Sequence, residues 1–180
     1  MSLFKRLFGI RTASKESGDI KIEHDMDDIQ KGYILDYDMR SWEVKDVAVY
    51  TWENGVKDYE YTLNDGKDEL FLNYESADQK LSIYWEGKIN EIWPTGKGLM
   101  RKGKDMIDEE VKYKGDTYYF LGEGAAKVKN SREQYYLQNW LFENASETQL
   151  LSFNLYDDRS MDAYIGMKIP SHAISNILKR

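Results

Sequence analysis

The heptapeptide Gly98-Leu99-Met100-Arg101-Lys102-Gly103-Lys104 matches the GxxxxGK of a phosphate-binding loop letter for letter. In such a loop backbone amides cradle the phosphates, and the residue after the Lys offers a hydroxyl to Mg²⁺. Here that residue is Asp105, whose charge repels phosphate. No apolar strand runs into the segment and no helical pattern leaves it, so it reads as a basic linker. The acidic groups Asp25/Asp27/Asp28, Asp105/Asp108/Glu109/Glu110 and Asp157/Asp158 carry the hard oxygen ligands that Ca²⁺ takes. None has the alternating register, central Gly and distal Glu of a Ca²⁺ loop, and solvated turns are the expectation. A glycosidase-type carboxylate pair is defined in space and not by spacing, and 32 acidic residues single out no pair. The chain has no Cys and only two His, His24 and His172. That composition excludes disulfides, thiolate sites, cysteine nucleophiles and His-rich metal sites, and neither His sits in a triad setting. Asn144-Ala145-Ser146 fits the glycosylation sequon, which has meaning only in a secreted chain. No catalytic residue, cofactor-binding residue or metal ligand is assigned, no cofactor is expected, and a non-enzymatic chain is favoured.

The elements that would position any chemistry are strands. Of 180 residues, 14 are Tyr, 5 Trp and 6 Phe, a load that suits pleated, half-buried surfaces. Strand patterns run over Tyr33 to Tyr37, Trp42 to Trp52, Val56 to Leu63, Glu69 to Glu75 and Lys80 to Ile92. Asn54-Gly55 and Asn64-Asp65-Gly66-Lys67-Asp68 supply the turns, because Asn and Gly tolerate positive φ. Leu70/Leu72/Tyr74 and Leu81/Ile83/Trp85 alternate with period 2 and line one face. Pro94 to Glu110 breaks the pattern. Strands resume at Tyr113, Thr117 to Leu121, Ala125 to Lys129, Glu133 to Phe142, Gln149 to Tyr156 and Met161 to Ile169. Pro170-Ser171 then starts a short helix with Ile174, Ile177 and Leu178 on its apolar face. Trp42, Trp52, Trp85, Trp93 and Trp140 are expected in the core, since alternation groups most of them with aliphatic neighbours.

The second set of strands repeats the first. Leu70-Phe71-Leu72-Asn73-Tyr74 matches Leu151 to Leu155, Tyr84 matches Tyr164, and Lys88-Ile89 matches Lys168-Ile169. Tyr61-x-Leu63 matches Trp140-x-Phe142, Trp42-x-Val44 matches Tyr119-x-Leu121, and Leu35-x-Tyr37 matches Val111-x-Tyr113. The offset creeps from 76 to 81, as loop insertions between matched strands would make it do. The expected fold is mainly β: two pseudo-repeated antiparallel meanders, about 29–93 and 111–178, forming one sandwich- or barrel-like domain over 20–180, with short N- and C-terminal helices.

Residues 1–19 form a separate basic segment and linker. Lys5, Arg6, Arg11 and Lys15 precede the first acid, Glu16, in a chain of net charge −7. On a helix Phe4, Leu7, Phe8 and Arg11 share a face, which suits contact with an anionic membrane surface or a protein partner. Phe4, Lys5, Arg6, Leu7, Phe8 and Arg11 are the candidate contact residues. The apolar stretch Leu7 to Ile10 is too short for a signal peptide, and a cytoplasmic chain, peripheral to the membrane, is expected. The acidic balance argues against nucleic acid as a partner.

These residues, taken in order, resemble the bacterial domain of unknown function family 4178. Lys31-Gly32, Trp42-x-Val44, Tyr59-Glu60-Tyr61-x-Leu63 and Glu69-Leu70-Phe71-Leu72 carry the resemblance in the first half. Tyr113-x-Gly115-x-x-Tyr118, Glu123-x-x-Ala126, Leu150-Leu151-Ser152-Phe153 and Tyr164-x-Gly166 carry it in the second. Two positions depart from it: Tyr33 stands where the family tends to have Asp, and Asn154 where a Glu is usual. The resemblance brings no activity, cofactor or catalytic residue. It implies a non-enzymatic accessory role at the bacterial envelope, linked to membrane stress. A β domain that binds a small ligand or carbohydrate through exposed aromatics is the alternative, and an enzyme of unrecognised type the third.

Overall fold

The computed structural model describes residues 26–96 and 110–179. Five strands make the first half: β1 (Ile34–Tyr37), β2 (Arg40–Trp52), β3 (Lys57–Asn64), β4 (Glu69–Glu75) and β5 (Lys80–Gly87). Five make the second: β6 (Glu110–Tyr113), β7 (Asp116–Lys129), β8 (Gln134–Asn144), β9 (Gln149–Tyr156) and β10 (Met161–Ile169). A last strand, β11 (Ser175–Leu178), follows. All pair antiparallel in the order β11-β1-β2-β3-β4-β5-β10-β9-β8-β7-β6, and β2 also pairs with β7. That extra pairing closes β2-β3-β4-β5-β10-β9-β8-β7 into an eight-stranded ring. Closure leaves these eight strands without a free edge along most of their length.

The repeat is legible in the hydrogen-bond register. Tyr61 lies opposite Leu72 and Leu63 opposite Leu70; in the second half Trp140 lies opposite Phe153 and Phe142 opposite Leu151. Both long strands carry a bulge at the same place, between Val44 and Asp46 in β2 and between Phe120 and Gly122 in β7. The β1–β2 turn places Asp38 and Met39 at positive φ, and the β6–β7 turn does the same with Lys114 and Gly115. The strand β5 pairs with its own counterpart, Trp85 opposite Ile165, and so do β2 and β7, Thr51 opposite Lys127. A pseudo-twofold axis therefore passes through both junctions between the halves.

Three details within the meanders differ from the sequence expectation. Trp42 lies opposite Leu35 while Tyr118, not Tyr119, lies opposite Val111, so the counterpart of Trp42 is Tyr118. A one-residue slip reverses the face: Tyr118 is buried and Tyr119 half exposed. The break between Leu121 and Ala125 is no turn, since β7 runs through it with Leu121 as the bulged residue. The strand from Lys80 stops at Gly87, and Ile89–Ile92 forms a helical turn, α1.

One face of the ring carries two apolar clusters. Leu35, Trp42, Val44, Tyr61, Leu63, Leu72 and Ile83 form the first, roofed by Met26, Ile29, Ile174 and Ile177. Val111, Tyr118, Trp140, Phe142, Leu151 and Phe153 form the second, roofed by Ile89, Ile92 and Trp93. Trp93 packs its ring on Phe142 and Phe153 at 5.2 and 5.1 Å between centroids. Each fully buried large side chain contributes roughly 1.5–3 kcal/mol. The roofs are exchanged: α1 follows β5 yet covers the second half, and β11 follows β10 yet covers the first. The helical signal at Pro170 is confined to one 3-10 turn, Ser171–Ala173. Ile174 and Ile177 then reach the core from an edge strand because β1 offers an unpaired edge, and Leu178 points outward.

Candidate functional site

The other face of the ring looks into its lumen. Alternation sends Tyr61 and Leu63 to the cluster face of β3 and therefore Asp58 and Glu60 inward; on β4 it sends Asn73 and Glu75 inward. The same parity places Tyr84 of β5, Tyr164 and Lys168 of β10, and Ser152 and Asn154 of β9 inside. It also places Asn139, Leu141 and Glu143 of β8 and Tyr50 and Trp52 of β2 inside. A cavity of about 230 Å³ is lined by residues of all eight ring strands, which locates it in the lumen. Part of the lumen is filled: Ala48, Tyr50, Ala126, Val128 and Leu137 pack together, with Trp52, Tyr135 and Tyr156 against them.

Polar groups are held on defined partners. The Tyr50 hydroxyl donates to Glu60 Oε2 at 3.1 Å, and Trp52 Nε1–H donates to Asp58 Oδ2. Asn139 Nδ2 donates to Ser152 Oγ at 2.7 Å and Asn154 Oδ1 at 2.8 Å. Lys168 forms an ion pair with Glu143, and Lys80 reaches Asp78 at 3.0 Å near the rim. Asn73 Oδ1 is buried with no hydrogen-bond partner.

Burial governs the proton affinities. It pushes the Glu60 carboxyl up to about 7, against the lowering effect of the Tyr50 hydroxyl. Burial raises Glu75, with the Asp58 charge adding to it. Burial also raises Asp58, offset in part by the Trp52 and Ser76 hydrogen bonds. The Tyr84 and Tyr164 hydroxyls are pushed far above their ordinary range by burial, and Tyr156 to about 12. The lumen thus holds three carboxyls of raised proton affinity beside neutral phenols.

Phe4, Lys5, Arg6, Leu7, Phe8 and Arg11 lie outside the described residues, as do His24, Asp25 and the segment from Gly98 to Glu109. His172 is exposed in the 3-10 turn. Asp158 is a turn residue that accepts from the Ser160 amide at 2.8 Å. Asn144 of the sequon is buried, and its Oδ1 accepts from the amides of Thr148 and Gln149. Trp42, Trp93 and Trp140 are in the cores, Trp85 is partly buried against the first, and Trp52 borders the cavity. Asn154 is a buried lumen residue. Among the described residues no group of three or more His, Cys, Asp or Glu is placed to hold a metal ion. No helix among them is long and apolar enough to cross a membrane.

Sequence reasoning passed over Asp58, Glu60, Glu75 and Asn73, because a polar residue between apolar ones ordinarily marks a solvated strand face. The one signal pointing inward was the match of Tyr84 with Tyr164, since both prove to be lumen residues.

The sequence model of the domain of unknown function DUF4178 matches residues 30–171. A protein of Aquifex aeolicus (strain VF5), itself described as uncharacterized, is 27% identical over 177 residues, covering 98% of this chain and 96% of that relative. No solved structure matches.

Proposed function

The chain belongs to the DUF4178 family, a domain of unknown function, and we propose from the lumen that it binds a small polar ligand inside its β-ring. The cavity carries this reading. An eight-stranded barrel is just wide enough for side chains to fill it or to hold one small ligand. This one does the first in the part occupied by Ala126, Val128 and Leu137 and leaves the rest open. The open part carries carboxylates and amides whose burial costs stability, so packing alone does not account for them. At about 230 Å³ the cavity falls below the roughly 300–1,000 Å³ of drug-sized sites. It suits a metabolite of a few carbons.

Trp52, bordering the cavity, is a built-in reporter. Titration with small amines, polyols, amides and carboxylic acids, followed by tryptophan fluorescence and calorimetry, is expected to give saturable binding for one class. Trp52→Phe should remove most of the fluorescence response, while calorimetry should still show saturable heat, with an affinity altered by the loss of the indole donor to Asp58. A chain, folded by circular dichroism, that gives no saturable response to any class would sink the reading.

The raised proton affinity of Glu60 favours a second reading, in which a lumen carboxyl acts as general acid or base near neutral pH. Recovering the bound compound unchanged after prolonged incubation would remove it. The basic residues Lys5, Arg6 and Arg11, with Phe4, Leu7 and Phe8 beside them, support a peripheral accessory role at an anionic membrane. Failure of the intact protein to float with anionic liposomes at low salt would remove that.

A further inference from the structure

The pseudo-twofold axis makes the two walls of the lumen comparable position by position. Asn73 corresponds to Asn154 and Tyr84 to Tyr164. Where the β3–β4 wall has Asp58, Glu60 and Glu75, the β8–β9 wall has Leu137, Asn139 and Tyr156. In the ring order these two walls face each other across the cavity. Three acids with no ion-pair partner among the described residues thus share one wall, while the other side holds Glu143, paired with Lys168, and Asp162 beside Tyr156 and Tyr164.

The lysines neutralise that side only in part: against the raising effect of burial, the Lys80 and Lys168 charges lower the proton affinity of Glu75, but both side chains are ion-paired elsewhere. Lys168 is paired with Glu143 and Lys80 with Asp78, and among the described residues no basic side chain forms an ion pair with Asp58, Glu60 or Glu75. Asn73, directly across the β3–β4 ladder from Glu60, adds a buried oxygen with no donor. The wall is rich in acceptors: Tyr50 donates to Glu60, and Trp52 and the Ser76 amide donate to Asp58, but no cation among the described residues is ion-paired with these carboxyls. Tyr84 and Tyr164 stand beside it and offer ring faces of the kind that attract cations. On the facing wall Glu143 is paired with Lys168, and the rest is neutral, with Asn139, Ser152 and Asn154 tied to one another.

We propose that the ligand is a small monocation carrying a primary ammonium or guanidinium group. Its charged end lies against Asp58, Glu60, Glu75 and Asn73 Oδ1, and its neutral polar end against Asn139, Ser152 and Asn154. This rests on the reading of the lumen as a binding site and fixes the ligand's charge and orientation within it. Binding is coupled to proton release: a cation favours the ionised carboxylate, so Glu60 loses its proton when the ligand enters. The groups that interact with Glu60 are Tyr50 of β2, Tyr84 of β5, Tyr135 of β8 and Tyr164 of β10, all neutral phenols. Asp58 and Glu75 share its wall, and the charges of Lys80 of β5 and Lys168 of β10 reach Glu75.

The test compares 4-amino-1-butanol with 1,4-butanediol, which match in length and differ in the charged nitrogen. Calorimetry on the full chain at pH 7 should show the amine binding at least tenfold tighter. At pH 6.5 the apparent heat should differ between phosphate and the zwitterionic buffer ACES, which differ in ionisation enthalpy and carry no primary ammonium, and the difference exposes the released proton. Affinity for the amine should fall up to about tenfold per pH unit below 7, the limit for one linked proton. Glu60→Gln should reduce that pH dependence to the remainder left by Asp58 and Glu75, and the double variant Glu60→Gln/Glu75→Gln should weaken the amine selectively. Equal or tighter binding of the diol would overturn the charge assignment and leave the lumen a binding site. Undiminished amine binding by a folded double variant would overturn the orientation. No binding by either probe would overturn the proposal, and no response to any compound class would take the underlying reading with it.

Discussion

Replacing Glu60 by Gln should stabilise the protein at pH 8 and leave it nearly unchanged at pH 4. In the folded chain the Glu60 carboxyl keeps its proton up to about pH 7, against an ordinary value of 4.5. Between those two values the native state binds the extra proton. Stability therefore falls as pH rises from about 4.5 to about 7, then levels off. At roughly 1.4 kcal/mol per pH unit the full effect is on the order of 3 kcal/mol. Glu60 is only partly buried, and solvent screening leaves about 1–3 kcal/mol. The Gln side chain has the same shape, and its amide oxygen can still accept from the Tyr50 hydroxyl, so the substitution removes the charge and little else. Urea denaturation of both proteins at half-unit steps from pH 4 to 8 measures the effect directly. Asp58 and Glu75, raised by the same burial, leave a residual slope in the variant. Wild-type and variant curves that stay parallel across the range would show that Glu60 does not hold its proton in the folded chain. The reasoning about the lumen would fail with it.

Met39 is fully exposed at a φ of 59° in a turn whose counterpart carries Gly115. Relief of the left-handed strain outweighs the added chain entropy, so Met39→Gly should raise stability by roughly 0.5–1 kcal/mol by thermal melt. A side chain on Gly166 would run into the ring of Tyr84 across the β5–β10 junction. Gly166→Ala should cost about 1–3 kcal/mol and change the near-ultraviolet circular dichroism of the lumen tyrosines. Asn144→Ala strips two turn amides of their buried acceptor and should cost about 1–3 kcal/mol in the same denaturation assay.

The sequence carried the architecture because both of its signals were local or repeated. Period 2 over Leu70/Leu72/Tyr74, the Asn54-Gly55 turn and the drifting offset between the halves are each visible along the chain. Finer register was not visible. Tyr118 and Tyr119 are chemically alike, and only pairing with Val111 decides which one is buried. Nor could Gly122-Glu123-Gly124 be told from a turn, since small residues inside a ring and small residues at a bend read alike. The lumen escaped for a deeper reason. Asp58 and Glu60 alternate with Tyr59 and Tyr61 as on any strand with one wet face. Nothing within β3 reports that β2 and β7 meet and enclose that face.

The exchanged roofs set an order of events during synthesis. Residues 34–87 leave the ribosome with their large side chains on one open surface, and the isoleucines that seal it, Ile174 and Ile177, emerge nearly 90 positions later. Strand β5 must likewise wait for β10. The amino-terminal half is therefore committed to remain unfinished until the second half and β11 have been made. A nascent chain stalled before Ser171 offers an apolar, aggregation-prone sheet to chaperones and not a folded intermediate.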